Sequence, residues 1–229
     1  MSKLSRLFRW SKKVNIVSGG EVLDTVYIRL VGDSDFQESR IAALKASKNL
    51  RIRLRDKEDE EHLSTFSDIN HLTKDELIMG VCYSEIPDYR DEAIISVPEK
   101  TIPELPDSPS LEEQEQYQNK LETMRNERAQ ALAKFIEERS DKRREELKDK
   151  ELEDLKEMYM HSIINMKCGE EFTRTFREYQ VYKGTYTDEK FKNLAFDNFE
   201  DFVECAPQLK SQLLQAYIDL EISGEDLKN

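Results

Sequence analysis

A chain of 229 residues has room for one domain or two small ones. Its net charge of −13, with 36% of residues charged, sets up a field that repels nucleic-acid phosphates and so argues against a general nucleic-acid binder. Only 38% of residues are hydrophobic, yet ten Phe and nine Tyr are too many for a fully disordered chain, so folded modules separated by exposed segments are expected.

Cys82, Cys168 and Cys205 are odd in number and far apart, which fits free thiols in a reducing cytosol better than a disulfide framework. No apolar run approaches the roughly 20 residues that cross a bilayer. Met1 to Val14 lacks the continuous apolar stretch of a secretory signal. The expected compartment is the cytoplasm, of a cell or of an infected host, without membrane association.

Residues 3–13 alternate Lys3, Arg6, Arg9, Lys12 and Lys13 with Leu4, Leu7, Phe8 and Trp10. This is either a tail whose Trp10 tucks against the first strand or a basic amphipathic helix that docks on an acidic partner. Lys13–Val17 and Glu21–Val31 flank Ser18-Gly19-Gly20, the pattern of a hairpin whose glycines supply positive φ, with Leu23 breaking the alternation. A lone hairpin is marginal and needs a cover. The helix that follows is expected to provide it. Asp33 or Ser34 would be its N-cap, Gln37 would complete a capping box, and Phe36, Ile41, Ala43, Leu44, Ala46 and Leu50 would form its apolar stripe. Arg51, Arg53 and Arg55 close that helix, either as cations suited to the macrodipole or as a docking patch for an acidic partner.

Leu63 to Val81 reads as short helices, with Thr73 capping ahead of Glu76, and Ala93-Ile94-Ile95-Ser96-Val97 reads as a strand that joins the hairpin. Pro98, Pro103, Pro106 and Pro109 form an extended connector. Ser110 to Met166 contains no Gly or Pro and is expected to be helical, as one continuous rod or as two helices broken near Ser140-Asp141. Its apolar positions recur eleven residues apart (121/132, 124/135, 136/147/158), a spacing that favours a straight path over a left-handed coiled coil. Cys168-Gly169 is read as a helix stop. Phe172, Phe176, Tyr179 and Tyr182 then mark a further helix ended by Gly184, and Thr187 or Asp188 is placed as cap of the segment holding Phe191, Phe199 and Phe202. Pro207 opens a last helix with Leu209, Leu213, Leu214, Tyr217, Ile218 and Leu220 on its apolar face. The fold class is α+β, mostly α: an N-terminal α+β module over 1–97, a connector over 98–109, the charged helix over 110–166 and a helical module over 167–229.

No recurrent catalytic or cofactor motif is present. His62, His71 and Cys82 match no common zinc spacing, and Cys168 with His161 lacks a third orienting group. Glu151, Asp154 and Glu157 lie among Lys148, Lys150 and Lys156 on a solvated helix. No catalytic residue, metal or cofactor is expected, and the protein is read as a non-enzyme.

The run Ser39-Arg40-Ile41-Ala42-Ala43-Leu44-Lys45-Ala46-Ser47, followed by Leu50 to Asp56, resembles a segment of tail assembly proteins of tailed bacteriophages. Phe199-Glu200-Asp201-Phe202, Leu213 to Glu221 and Asp226-Leu227-Lys228 are similar to the C-terminal helices of phage tail assembly chaperones. The resemblance covers about a third of the chain. It implies a small acidic protein that binds the tape measure protein while the tail tube polymerises around it. The long charged helix and the proline connector depart from the compact form of such chaperones. On this reading Phe172, Phe176 and Tyr179, with Leu213, Tyr217 and Leu220, would hold a partner helix, and Arg51, Arg53 and Arg55 would add a basic patch. The alternative is a structural adaptor of the virion neck or baseplate, with the charged helix as a spacer between two binding ends.

Overall fold

The structure, a computed structural model, describes residues 11–99, 101 and 110–225, with side chains to residue 222. The basic segment before Ser11, most of the proline connector and the Asp226-Leu227-Lys228 element of the resemblance lie outside the described residues. The fold is α+β and mostly helical, with one small antiparallel sheet.

β1 (Ser11–Ser18) and β2 (Glu21–Arg29) form the hairpin, turning through Gly19 and Gly20 at φ 60° and 88°. Ile16 faces Asp24 and Val17 faces Val22, so Leu23 is the extra residue of a bulge, at the position where the alternation fails in the sequence. The third strand is β3 (Thr185–Tyr186), which pairs with β2 through Tyr27–Tyr186 and Ile28–Thr185.

Ala93 to Val97 is not a strand. It ends α3 (Lys74–Ser96), a helix begun by a capping box in which Thr73 and Glu76 satisfy each other's backbone amides. Tyr89 and Ala93 are buried one turn apart on that helix, while Ile94 and Ile95 stay exposed. Burial of one helical face overrides the β-branched run.

α1 (Asp33–Arg55) follows the hairpin, but its N-cap is Gly32 with no side-chain bond, so the Ser34–Gln37 box does not form. The hairpin is instead covered by α7 (Pro207–Glu225), the last helix. The Gln212 side-chain amide accepts the Val17 N–H at 3.0 Å and donates to the Val17 carbonyl at 2.8 Å. The Tyr217 hydroxyl accepts the Val31 N–H at 3.3 Å. Between sheet and helices sits the core: Ile16, Val26, Ile28, Val181, Phe202, Leu213, Tyr217 and Leu220. Each such buried side chain stabilises by about 1.5–3 kcal/mol.

Residues 110–166 do not form one rod. After α2 (Glu60–Phe66) and α3, α4 (Leu111–Lys148) stops at Asp149 and α5 (Leu152–Gly184) begins after Glu151, ten residues beyond the expected break. Tyr159 lines the same cleft as Ser140 and Arg144. On a continuous helix residues 144 and 159 would stand roughly 22 Å apart along the axis. The chain has therefore folded back. α4 runs antiparallel to α3, as the ion pairs Arg143–Glu85, Arg139–Glu92 and Arg128–Glu99 step along both helices in opposite directions.

α5 passes through Cys168-Gly169 without stopping. A single glycine costs a helix only about 1 kcal/mol, and here Ser47 of α1 donates to the Cys168 carbonyl at 2.9 Å. Gly184 does end the helix: a Cβ there would lie 2.5 Å from the Arg29 carbonyl and 3.0 Å from the Tyr217 ring. Between Tyr186 and α6 (Phe199–Glu204) there is a loop rather than a capped helix. Asp188 accepts the amides of Lys190, Lys192 and Asn193, which holds its carboxyl below the usual range, and Asn198 caps α6.

The contacts group the chain differently from the linear order of modules. One compact unit, the sheet unit, combines Met1–Asp59 with Lys167–Asn229; the other, the helical unit, is Glu60–Met166. The two chain ends belong together because β3 and α7 complete what the hairpin begins.

Candidate functional site

In the sheet unit α1 lies antiparallel on the C-terminal half of α5. Ser39, Ala43 and Ser47 recur at every fourth position; the first two are fully buried, and their small side chains let the two helices approach closely. The contact is fixed at the N-terminal end of α1 by the Phe36 ring edge-on to Phe176 at 5.1 Å and by Lys183 with Glu38 at 2.8 Å, and further along by the Ser47 hydroxyl on the Cys168 carbonyl. Lys183 holds the Glu38 carboxyl below its ordinary range, and Glu38 in turn raises the Lys183 ammonium.

This packing turns the adjacent face of α1 outward as one wall of a trough. Ile41, Ala42, Lys45, Ala46 and Asn49 form that wall, and Thr175, Glu178, Tyr179 and Tyr182 of α5 form the floor. The opposite wall is Asn198, Phe199, Glu200 and Val203 at α6. The trough holds about 740 Å3. Its wall on α1, Glu38 to Asn49, measures roughly 16 Å, about three turns of helix. The Tyr179 ring lies tilted against Phe199 at 5.0 Å and edge-on to Tyr182 at 5.6 Å, and burial pushes its phenol up. Ile41 is 53% exposed and Val203 38% exposed, apolar side chains that line the same trough from α1 and α6. The charges at the floor and rim are mostly met within the protein, with Glu171 on Arg174 at 2.5 Å and Glu178 on Lys210 at 3.7 Å.

Of the residues singled out in the sequence, Tyr179 lines this trough. Phe172 and Phe176 stack on each other at 5.8 Å and meet Phe36, so they hold α1 against α5 rather than line the trough. Leu213, Tyr217 and Leu220 are core residues beneath the sheet, with no surface to offer a partner. Arg51 is half-buried, Arg53 pairs with Asp59 at 3.3 Å, and Arg55 is exposed at the end of α1, away from the trough. The trough residues the sequence reading passed over are Ala42, Phe199 and Val203; Ile41 and Ala46 had been assigned to the core face. The Ser39-Ala43-Ser47 spacing was the available signal, because a stripe of small residues marks the true contact face and rotates Ile41 and Leu44 out of it.

The metal and nucleophile candidates do not assemble. His62 packs on Phe66 at 4.9 Å, Cys82 is buried with its thiol pushed up by desolvation, and no group of three His, Cys, Asp or Glu converges among the described residues. Cys168 is buried against α1 while His161 is exposed. No described helix is long and apolar enough to cross a membrane. No protein family, curated protein or solved structure matches the chain.

Proposed function

We propose that this protein is a non-catalytic binding protein that holds an amphipathic helix of a partner in the trough of the sheet unit. The observation that carries the reading is the facing pair of exposed apolar walls, Ile41 on α1 and Val203 on α6, over the aromatic floor of Tyr179 and Tyr182. Two walls and a floor built from helices suit the helix-in-groove mode, in which residues at i, i+3 and i+7 of the guest fill the apolar base. The self-paired charges of the trough suit a guest whose apolar stripe, rather than its charge, decides binding. The resemblance to tail assembly chaperones supplies the partner class, a long helical protein of the tape measure kind. The adaptor alternative rested on 110–166 as a single rod; the turn at Asp149–Glu151 takes away that support.

Co-expression with the tape measure protein of the same genome tests the reading. The two proteins are expected to elute as one complex, and Ile41→Asp is expected to weaken it at least tenfold while leaving the circular dichroism unchanged. Separate elution, or an Ile41→Asp protein that binds like the parent, contradicts it.

A further inference from the structure

The helical unit carries a second groove of different chemistry. It runs between α3 and the first half of α5 and has a volume of about 970 Å3. Its apolar surface is Tyr83, Pro87, Met158 and Met166; Val81, which also borders it, is buried. Tyr83 is 73% exposed and Met166 41% exposed, so large apolar side chains stand in water along one continuous depression. Methionine side chains are unbranched and polarizable and adapt to guests of varied shape. Pro87 lies inside α3 and has no N–H to return to the Tyr83 carbonyl one turn back, which leaves that backbone oxygen without its usual helical donor at the groove.

The rim is acidic, and only one of its four carboxylates is met by a basic side chain. Glu85, Asp88, Asp154 and Glu157 border the groove against Lys150 and His161. Glu85 is committed to Arg143, whose guanidinium donates to both its oxygens at 3.0 Å. Asp88, Asp154 and Glu157 take part in no ion pair among the described residues. In the trough of the sheet unit Glu38, Glu171 and Glu178 each have a basic partner, while Asp197 and Glu200 have no ion pair among the described residues.

We infer that this groove is a second docking site, and that its occupant is a basic amphipathic helix of a partner protein. Apolar side chains of the guest lie on Tyr83 and the two methionines, and its Lys or Arg residues meet Asp88, Asp154 and Glu157. The acidic rim raises the encounter rate and selects the sign of the guest, while the apolar floor supplies the affinity. The inference stands independently of the trough.

The test uses the full chain and a fluorescein-labelled 18-residue helical peptide of Leu and Lys, with a Leu and Glu peptide as its counterpart. Fluorescence anisotropy is expected to show binding of the Lys peptide in the micromolar range, at least tenfold tighter than the Glu peptide and weakened by salt. Asp88→Asn with Glu157→Gln is expected to lower the affinity about tenfold, and Tyr83→Ser to lower it at constant salt dependence. Ile41→Asp is expected to leave it unchanged. Equal binding of both peptides, or no loss in the Asp88→Asn/Glu157→Gln variant, overturns the inference. Loss in Ile41→Asp alone assigns the peptide to the trough and overturns it equally.

Discussion

The interiors of the two units differ in how far charge adds to apolar burial. The sheet unit has a dry core in which Ile28, Val181, Phe202, Leu213 and Tyr217 are buried between sheet and helices. In the helical unit Leu77, Ile78, Val81, Ala93, Leu147 and Leu155 are buried as well, but α3 and the residues just after it also meet α4 along a seam of ion pairs, Arg143–Glu85, Arg139–Glu92 and Arg128–Glu99. Apolar burial is indifferent to salt and moderate pH, whereas a seam of partly exposed charges is screened by one and titrated by the other. Both units thus keep an apolar interior, and the helical unit adds a seam whose contribution follows solution conditions.

The largest expected effect is in the core. Leu213→Ala leaves a cavity under the sheet and is expected to cost about 2–5 kcal/mol, read by denaturant unfolding; a loss under about 1 kcal/mol would place Leu213 outside the core. Alkali sharpens the comparison next. Burial raises the Tyr217 phenol from an ordinary 10.0 to about 12, so the proton is held more tightly folded than unfolded. Its stabilisation is complete below pH 10 and is lost as pH rises toward 12, by about 3 kcal/mol. Tyr217→Phe is expected to flatten that alkaline loss, and an unchanged slope would assign it elsewhere. A smaller effect is expected at the seam. Glu85→Gln removes the carboxylate that Arg143 and Tyr89 share and is expected to cost about 1–2 kcal/mol, less at high salt. A loss independent of salt would mean the seam is held by packing after all. The smallest effect is acid. Glu38 is lowered by Lys183, so its contribution is present above the ordinary carboxylate value and is lost as pH falls through the lowered one. An NMR titration is expected to show the Glu38 carboxyl return toward its ordinary value in Lys183→Met.

The helices were legible wherever local chemistry decides them. Thr73 caps its helix ahead of Glu76, Gly184 ends its helix, and Gly19-Gly20 makes the hairpin turn with Leu23 as the bulge. What was not legible is long-range. That α7 rather than α1 covers the hairpin depends on Gln212 reaching Val17, 195 residues away in sequence. Ala93 to Val97 carries a strand's composition but takes the helix that buries Ala93 and Tyr89. The apolar residues of α7 form a clear stripe, and a stripe alone does not tell a core face from a docking face; Leu213, Tyr217 and Leu220 turned out to be core. Of the trough, the Tyr179 floor was visible, but its walls exist only because Ser39, Ala43 and Ser47 set the rotation of α1 on α5.

Hydrogen exchange of the protein with and without the bound tape measure protein tests the binding reading most directly. Protection is predicted in residues 38–49, 171–182 and 197–203, the two walls and floor of the trough. A bound complex in which those segments exchange as fast as in the free protein would contradict it.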